Sequence, residues 1–132
     1  MLCLESSFLI DWFRGQDYAQ EFLDERSADE RVLVPAVVLH ELFVGALEGG
    51  PYPPSMSAVY EALEHTEFAP LTAGAAEEAA AVRVALADRG EKIGPFDSLI
   101  AGTARDAGAT LVATDGHYAR VDDLDAVNPR PS

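Results

Sequence analysis

Short apolar runs alternate with helix-length stretches along this chain, and that alternation limits the possible folds more than any other feature. Leu2 to Leu4 reads as a strand, and Ser6 to Phe13 as a helix that its two leading serines can cap. Gly15 breaks it, and a second short helix follows from about Tyr18 to Glu25. Val32 to Val34 makes the next strand, and Pro35 stands where prolines open helices. That third helix stops at Gly49 and Gly50, and a proline-rich connection runs from Pro51 to Pro54. A helix of about Ser55 to Leu63 then leads into a weaker strand near Thr66 to Ala69. The alanine-rich Ala75 to Asp88 is a strong helix closed by Gly90. Pro95 opens another helix to about Asp106, with Gly108 as its stop; Thr110 to Ala113 and Leu124 to Val127 supply the fourth and fifth strands. Strands alternating with helices imply an α/β fold, a parallel sheet covered on both faces. No repeat or linker interrupts the pattern, so residues 1–132 form one domain.

Within that frame, one carboxylate stands out. The third helix reads AVVLHELFVGA from Ala36 to Ala46, and only His40 and Glu41 can face water comfortably. At 3.6 residues per turn, Glu41 projects between Val37 and Val44 on one side and Val38 and Gly45 on the other. A lone charge on a buried face is costly without a partner. The chain has a single lysine, Lys92, and no basic residue near Glu41 in sequence. A metal ion and an arginine from elsewhere in the fold are the two candidate partners.

Three further acids fall where such sheets bind ligands, outside the carboxyl ends of the strands. Glu5 directly follows the first strand and Asp115 the fourth, while Asp97 lies in the first turn of the helix opened by Pro95. With Glu41 they can gather at one edge of the sheet. Clustered carboxylates raise one another's pKa, and a divalent cation removes that cost. An all-oxygen site suits Mg2+ or Mn2+. Each acid also has an ordinary reading: Asp97 favours a helix dipole, Asp115 suits a turn, and Glu5 suits a solvated helix start. Their joint placement favours the metal site.

Composition sets the outer bounds. Hydrophobic residues make up 48% of the chain, enough for a proper core. The apolar runs are too short to cross a bilayer and the first residues lack the basic flank of a signal peptide, so a cytoplasmic protein without membrane contact is expected. The lone Cys3 excludes an internal disulfide and reads as a buried structural thiol. Aspartate and glutamate total 23 against 9 basic residues, a formal net charge of −14. Such a surface repels nucleic acid at low salt. The acid excess, the preference for arginine over lysine and the abundant alanine look like proteins of salt-loving, halophilic microbes. At molar salt the screening length falls to about 3 Å, so net charge scarcely opposes RNA binding.

Taken in order, four segments resemble the PIN domain, specifically the small ribonuclease toxins of the VapC type. They are Leu4-Glu5-Ser6-Ser7-Phe8-Leu9-Ile10-Asp11, His40-Glu41-Leu42-Phe43-Val44-Gly45-Ala46, Phe96-Asp97-Ser98-Leu99-Ile100-Ala101-Gly102-Thr103-Ala104, and Leu111-Val112-Ala113-Thr114-Asp115-Gly116-His117-Tyr118. The likeness covers nearly the whole chain. It implies a three-layer α/β/α sandwich around a five-stranded parallel sheet, with an acidic pocket for Mg2+ or Mn2+. By that resemblance Glu5, Glu41, Asp97 and Asp115 hold the metal, directly or through water, and Ser7 supports the first acid by hydrogen bonding. The implied activity is endoribonuclease cleavage of RNA, the implied setting a toxin–antitoxin pair, and the implied assembly a homodimer silenced by an antitoxin.

One position departs from the family pattern: its first acid is almost always aspartate, and here it is Glu5. The extra methylene moves the carboxylate by about a bond length, which matters when Mg2+–oxygen distances sit near 2.0–2.1 Å. Retained catalysis is the leading expectation. A catalytically weakened PIN-like module that binds RNA or a protein partner is the alternative. A phosphoacceptor signalling domain is a poor match, since serines follow Glu5 where a second acid is needed and Lys92 precedes the fourth strand. His117, two residues beyond Asp115, is a candidate for substrate binding or proton transfer, although a plain turn histidine is the favoured reading. Arg14 and Arg120 either guide phosphate or pair with surface acids. Asp11 is expected to help the first helix or face solvent, His40 and His65 to be structural, and Tyr118 to be a core aromatic.

Overall fold

The computed structural model describes residues 1–132. Five strands form one parallel sheet in the order β3-β2-β1-β4-β5: β1 is Leu2–Leu4, β2 Val32–Pro35, β3 Glu67–Ala69, β4 Thr110–Val112 and β5 Ala126–Val127. Six helices flank it: α1 Ser6–Phe13, α2 Asp17–Asp24, α3 Ala36–Leu47, α4 Met56–Ala62, α5 Ala73–Asp88 and α6 Pro95–Ala107. The expected α/β/α sandwich is therefore what the chain adopts. Register is set by Leu2 and Cys3 against Val32 and Leu33 on one side, and against Thr110 and Leu111 on the other. The strand order reverses between β1 and β4, and that switch point is where open sheets leave a crevice.

The central strands β1 and β2 are buried along their whole length, which is why they read as continuous apolar runs. Cys3, Leu4, Phe8, Leu9, Val34, Val38 and Leu111 belong to one contiguous core. Cys3 is fully buried, and burial pushes its thiol up to about 12, so it serves as a small apolar side chain. No helix is long and apolar enough to cross a membrane.

Helix ends follow the sequence signals with one informative exception. Ser55 and Thr72 cap α4 and α5 through their hydroxyls, and Gly108 closes α6 in the left-handed region at φ 68°. At α1, however, the cap is Glu5 rather than either serine: its carboxylate accepts the Ser7 N–H. The serine hydroxyls are thereby left free for other partners. Helices α5 and α6 approach closely because residue 102 is glycine; a Cβ there would lie 2.5 Å from the Ala75 carbonyl oxygen and 2.5 Å from the Ala79 nitrogen. That contact fixes α6, and with it the position of Asp97.

Candidate active site

Glu5 leaves β1 at the switch point, with its own N–H donating to the Val112 carbonyl of β4 at 3.1 Å. Its side chain bends back over the start of α1, where one carboxylate oxygen accepts the Ser7 N–H and the other accepts the Ser7 hydroxyl at 2.8 Å. Ser7 in turn accepts the Thr114 hydroxyl at 2.7 Å, so the segment after β4 braces the one after β1. Glu5 is only 4% exposed. Burial raises its pKa to about 7; the Ser7 hydrogen bonds oppose that rise, and the charges of Asp97 and Asp115 add to it.

The other three acids each have a separate anchor. Glu41 accepts the Ser6 hydroxyl at 2.5 Å. Its surroundings differ from the sequence expectation: Val38 is buried, but Val44 on the next turn is 38% exposed, so Glu41 sits at the edge of the buried stripe. Its partner is a hydroxyl, not an arginine. Asp97 is half-buried and accepts the Tyr118 hydroxyl at 3.1 Å. Asp115 caps the 3-10 turn Gly116–Arg120 by accepting the His117 N–H at 2.9 Å.

That turn organises more than Asp115. The His117 ring places Nε2 3.4 Å from Asp115 Oδ1, and its Nδ1 lies 2.6 Å from an Arg120 guanidinium nitrogen. Arginine only donates, so Nδ1 accepts and Nε2 is left to carry the proton towards Asp115. Arg120 Nε and Glu91 Oε2 face each other at 3.8 Å and are buried without a hydrogen-bond partner. Arg120 therefore pairs with an acid and also touches the histidine beside Asp115.

The four acids share one neighbourhood. Glu5 senses the charges of Asp97 and Asp115. The Tyr118 hydroxyl senses Glu5, Asp97 and Glu41, and burial together with those charges holds its ionisation well above the ordinary tyrosine range. As the side chains stand, though, no group of three or more is close enough to grip an ion, because each carboxylate turns to its own hydrogen bond. The chemistry of the set still fits a hard divalent cation. All donors are oxygens, one carboxylate is buried against its charged form, and none of the four pairs with lysine or arginine.

The remaining candidates fall elsewhere. Asp11 lies within α1 but does not face solvent: it is 7% exposed and accepts from Tyr18 and, at 2.5 Å, from Arg130 near the chain's end. Burial alone would raise its pKa, but the hydrogen bonds from Arg130 and Tyr18 hold it below the ordinary aspartate value. Arg14 is exposed near this cluster. His65 is exposed beside Glu64. His40 is exposed too, with its ring edge-on to Phe96. Tyr118 is a core aromatic, 1% exposed, yet its hydroxyl serves the acids. Sequence reasoning missed three supports: Ser6, Thr114 and the Tyr118 hydroxyl. Only their adjacency to Ser7, Asp115 and His117 hints at them.

Comparison with known proteins agrees with the fold. The family model described as PIN domain matches residues 2–124. Similar solved structures include VapBC2 of Rickettsia felis bound to a promoter DNA fragment, at 22% identity and TM-score 0.87, covering 96% of this chain and 97% of that one. DNA-bound VapBC of Salmonella typhimurium shares 21% identity at TM-score 0.86, with 98% of each chain covered. Mycobacterium tuberculosis VapC20, described as a sarcin-ricin loop cleaving toxin, shares 16% at TM-score 0.70, covering 95% and 99%. These likenesses are of fold. No curated protein matches the chain.

Proposed function

The chain belongs to the PIN domain family, and from that premise we propose that it is a divalent-metal-dependent endoribonuclease, the toxin half of a type II toxin–antitoxin pair. The observation that carries this reading is the condition of Glu5. A buried carboxylate raised to about 7 by burial and by two neighbouring acids is held at a strand end with no basic residue to neutralise it. A protein gains nothing in stability from that arrangement alone; a bound cation makes it favourable.

Glu5, Glu41, Asp97 and Asp115 are the residues that would hold Mg2+ or Mn2+. When bound, the ion supplies charge neutralisation and Lewis acidity at the scissile phosphate. The chain's own contribution is orientation. Ser7, itself held by Thr114, keeps the Glu5 carboxylate turned towards the sheet end. Ser6 does the same for Glu41, and Tyr118 for Asp97. His117, with its Nε2 proton turned to Asp115, stands where it can contact a substrate phosphate or pass a proton.

The partners follow from the same reading. Several structural relatives are toxin–antitoxin complexes, and this supports an antitoxin partner that silences the pocket; a homodimeric assembly and a cytoplasmic setting belong to the same proposal. The formal charge of −14 supports a salt-rich cytoplasm, where RNA is not repelled.

A second reading has one observation in its favour. With glutamate where the family has aspartate, and no three acids closed around a point, the chain suits a weakened PIN module that binds RNA or a partner without cutting. RNA cleavage in molar KCl with Mn2+ or Mg2+, set against EDTA and Asp97→Asn controls, separates the two. Metal-dependent cutting that needs Asp97 supports the nuclease. Folded protein that leaves several structured RNAs intact supports the binding module.

A further inference from the structure

Phe96 on α6 and His40 on α3 form an exposed aromatic pair, each next in sequence to a site acid, and neither packs into the core. Phe96 is 47% exposed at the start of α6, although burying a phenylalanine would ordinarily stabilise a domain. Its ring meets that of His40 on α3 at 5.7 Å between centroids and 85° between planes. Such a T-shaped contact occupies one face of one ring and leaves flat aromatic surface open. His40 immediately precedes Glu41, and Phe96 immediately precedes Asp97. Consecutive Cα atoms are about 3.8 Å apart, so the pair bridges the two helices within one residue of two site acids.

We infer that the Phe96–His40 pair is a stacking platform for an unpaired RNA base beside the scissile phosphate, an inference that rests on the nuclease reading. Every nucleobase offers an uncharged π-face, and phenylalanine and histidine rings are among the surfaces on which single-stranded bases stack. The charge balance makes such a contact necessary. A chain of net charge −14 repels the phosphate backbone at low salt, and the concentrated salt that screens this repulsion also weakens any local attraction to phosphate. Stacking survives salt. The pair therefore supplies grip on the substrate that the electrostatics withhold, and it also restricts cleavage to unpaired segments, because a base inside a duplex cannot reach a protein ring.

The test uses the full chain in a Trp12→Phe background, which removes the single native tryptophan, with Phe96→Trp as the reporter. The probes are a mixed-sequence single-stranded RNA 12-mer and a ribose-phosphate 12-mer lacking bases. Quenching of the reporter by the first and not by the second supports the platform. In parallel, Phe96→Ala should raise the KM for cleavage of single-stranded RNA about tenfold with kcat little changed, and Phe96→Tyr should restore it. Equal response to both probes, or an unchanged KM in a cleaving Phe96→Ala protein, overturns the platform and leaves the nuclease standing. If the parent protein neither cuts nor binds RNA, both readings fall. A Phe96→Ala protein that changes oligomeric state while keeping its RNA affinity makes Phe96 a protein contact and rejects the inference.

Discussion

The buried Tyr118 hydroxyl donates to Asp97 Oδ1 at 3.1 Å, and so ties the 3-10 turn after β4 to the first turn of α6. Two site acids, Asp115 and Asp97, are thus positioned by one short segment. Tyr118→Phe keeps the ring in the core and removes only this bond. Asp97 is half-exposed and can take water instead, so the loss in urea-unfolding stability should be about 0.5–1 kcal/mol. The larger effect should fall on the site: Mn2+ binding weakens because Asp97 loses its orientation, by about 10-fold or more. Unchanged Mn2+ affinity would show that the bond is structural only.

Removing a charge from the cluster should cost activity without costing the fold. Asp97→Asn keeps an acceptor for Tyr118, and Asp115→Asn keeps one for the His117 N–H. Each variant also relieves repulsion that now acts on Glu5. Melting temperatures measured in EDTA should stay level or rise slightly, while RNA cleavage drops by more than about 100-fold. A clear loss of metal-free stability in both variants would instead give these acids structural roles.

Glu5 makes stability depend on pH in a direction opposite to most carboxylates. Its pKa is about 7 in the folded protein against 4.5 for an unperturbed glutamate, so between those values the unfolded chain binds fewer protons than the folded one. Its stabilising contribution is complete below pH 4.5, declines as pH rises towards 7 and is gone above. The total is about 3 kcal/mol. Glu5→Gln in EDTA should lack this slope, and subtracting its denaturation curves from those of the parent isolates the effect. Mn2+ at pH 7.5 should stabilise the parent more than the variant. Parallel pH curves would mean that burial does not raise Glu5, and would remove the observation on which the metal-site reading rests.

The Glu5→Asp variant asks whether the longer side chain is a defect or an adaptation. Aspartate is among the preferred N-cap residues, so α1 should hold or gain a few tenths of a kcal/mol. If glutamate is merely a poorer ligand, cleavage with Mn2+ should be preserved or rise. A collapse would mean that Ser7 and Thr114 have rebuilt the pocket around the extra methylene.

The order of the elements was legible because the central strands β1 and β2 are unbroken apolar runs between breakers, and Gly15, Gly90 and Gly108 mark real ends. All five strands were found, with ends shifted by a residue or two: β5 is shorter than Leu124 to Val127 suggests, since Leu124 packs against the core without joining the ladder. The acids were legible through their places at strand ends. Their supports were not, because a hydroxyl's partner depends on which group wins a helix cap. Reading Ser6 and Ser7 as caps was reasonable locally, yet Glu5 takes that role and frees Ser6 for Glu41. The burial of Asp11 was not legible, because its partner Arg130 lies 119 residues away.

Helix packing offers a prediction whose sign reverses between two glycines. Both Gly45 in α3 and Gly102 in α6 lie in helix interiors, where alanine is favoured by about 1 kcal/mol on propensity alone. A Cβ at residue 45 meets nothing within 4 Å, so Gly45→Ala should gain most of that amount. At residue 102 the new atom would lie 2.5 Å from the Ala75 oxygen, 2.5 Å from the Ala79 nitrogen and 2.7 Å from the Ala79 Cβ. Backbone atoms cannot rotate away, so α6 has to move off α5, and the cost should exceed the propensity gain by about 1–3 kcal/mol. Because α6 carries Asp97, its displacement should also lower Mn2+ affinity, even where the variant remains folded at 25 °C. Equal stabilisation by both alanines in urea melts would show that the α5–α6 contact yields, and that Asp97 is positioned by Tyr118 alone.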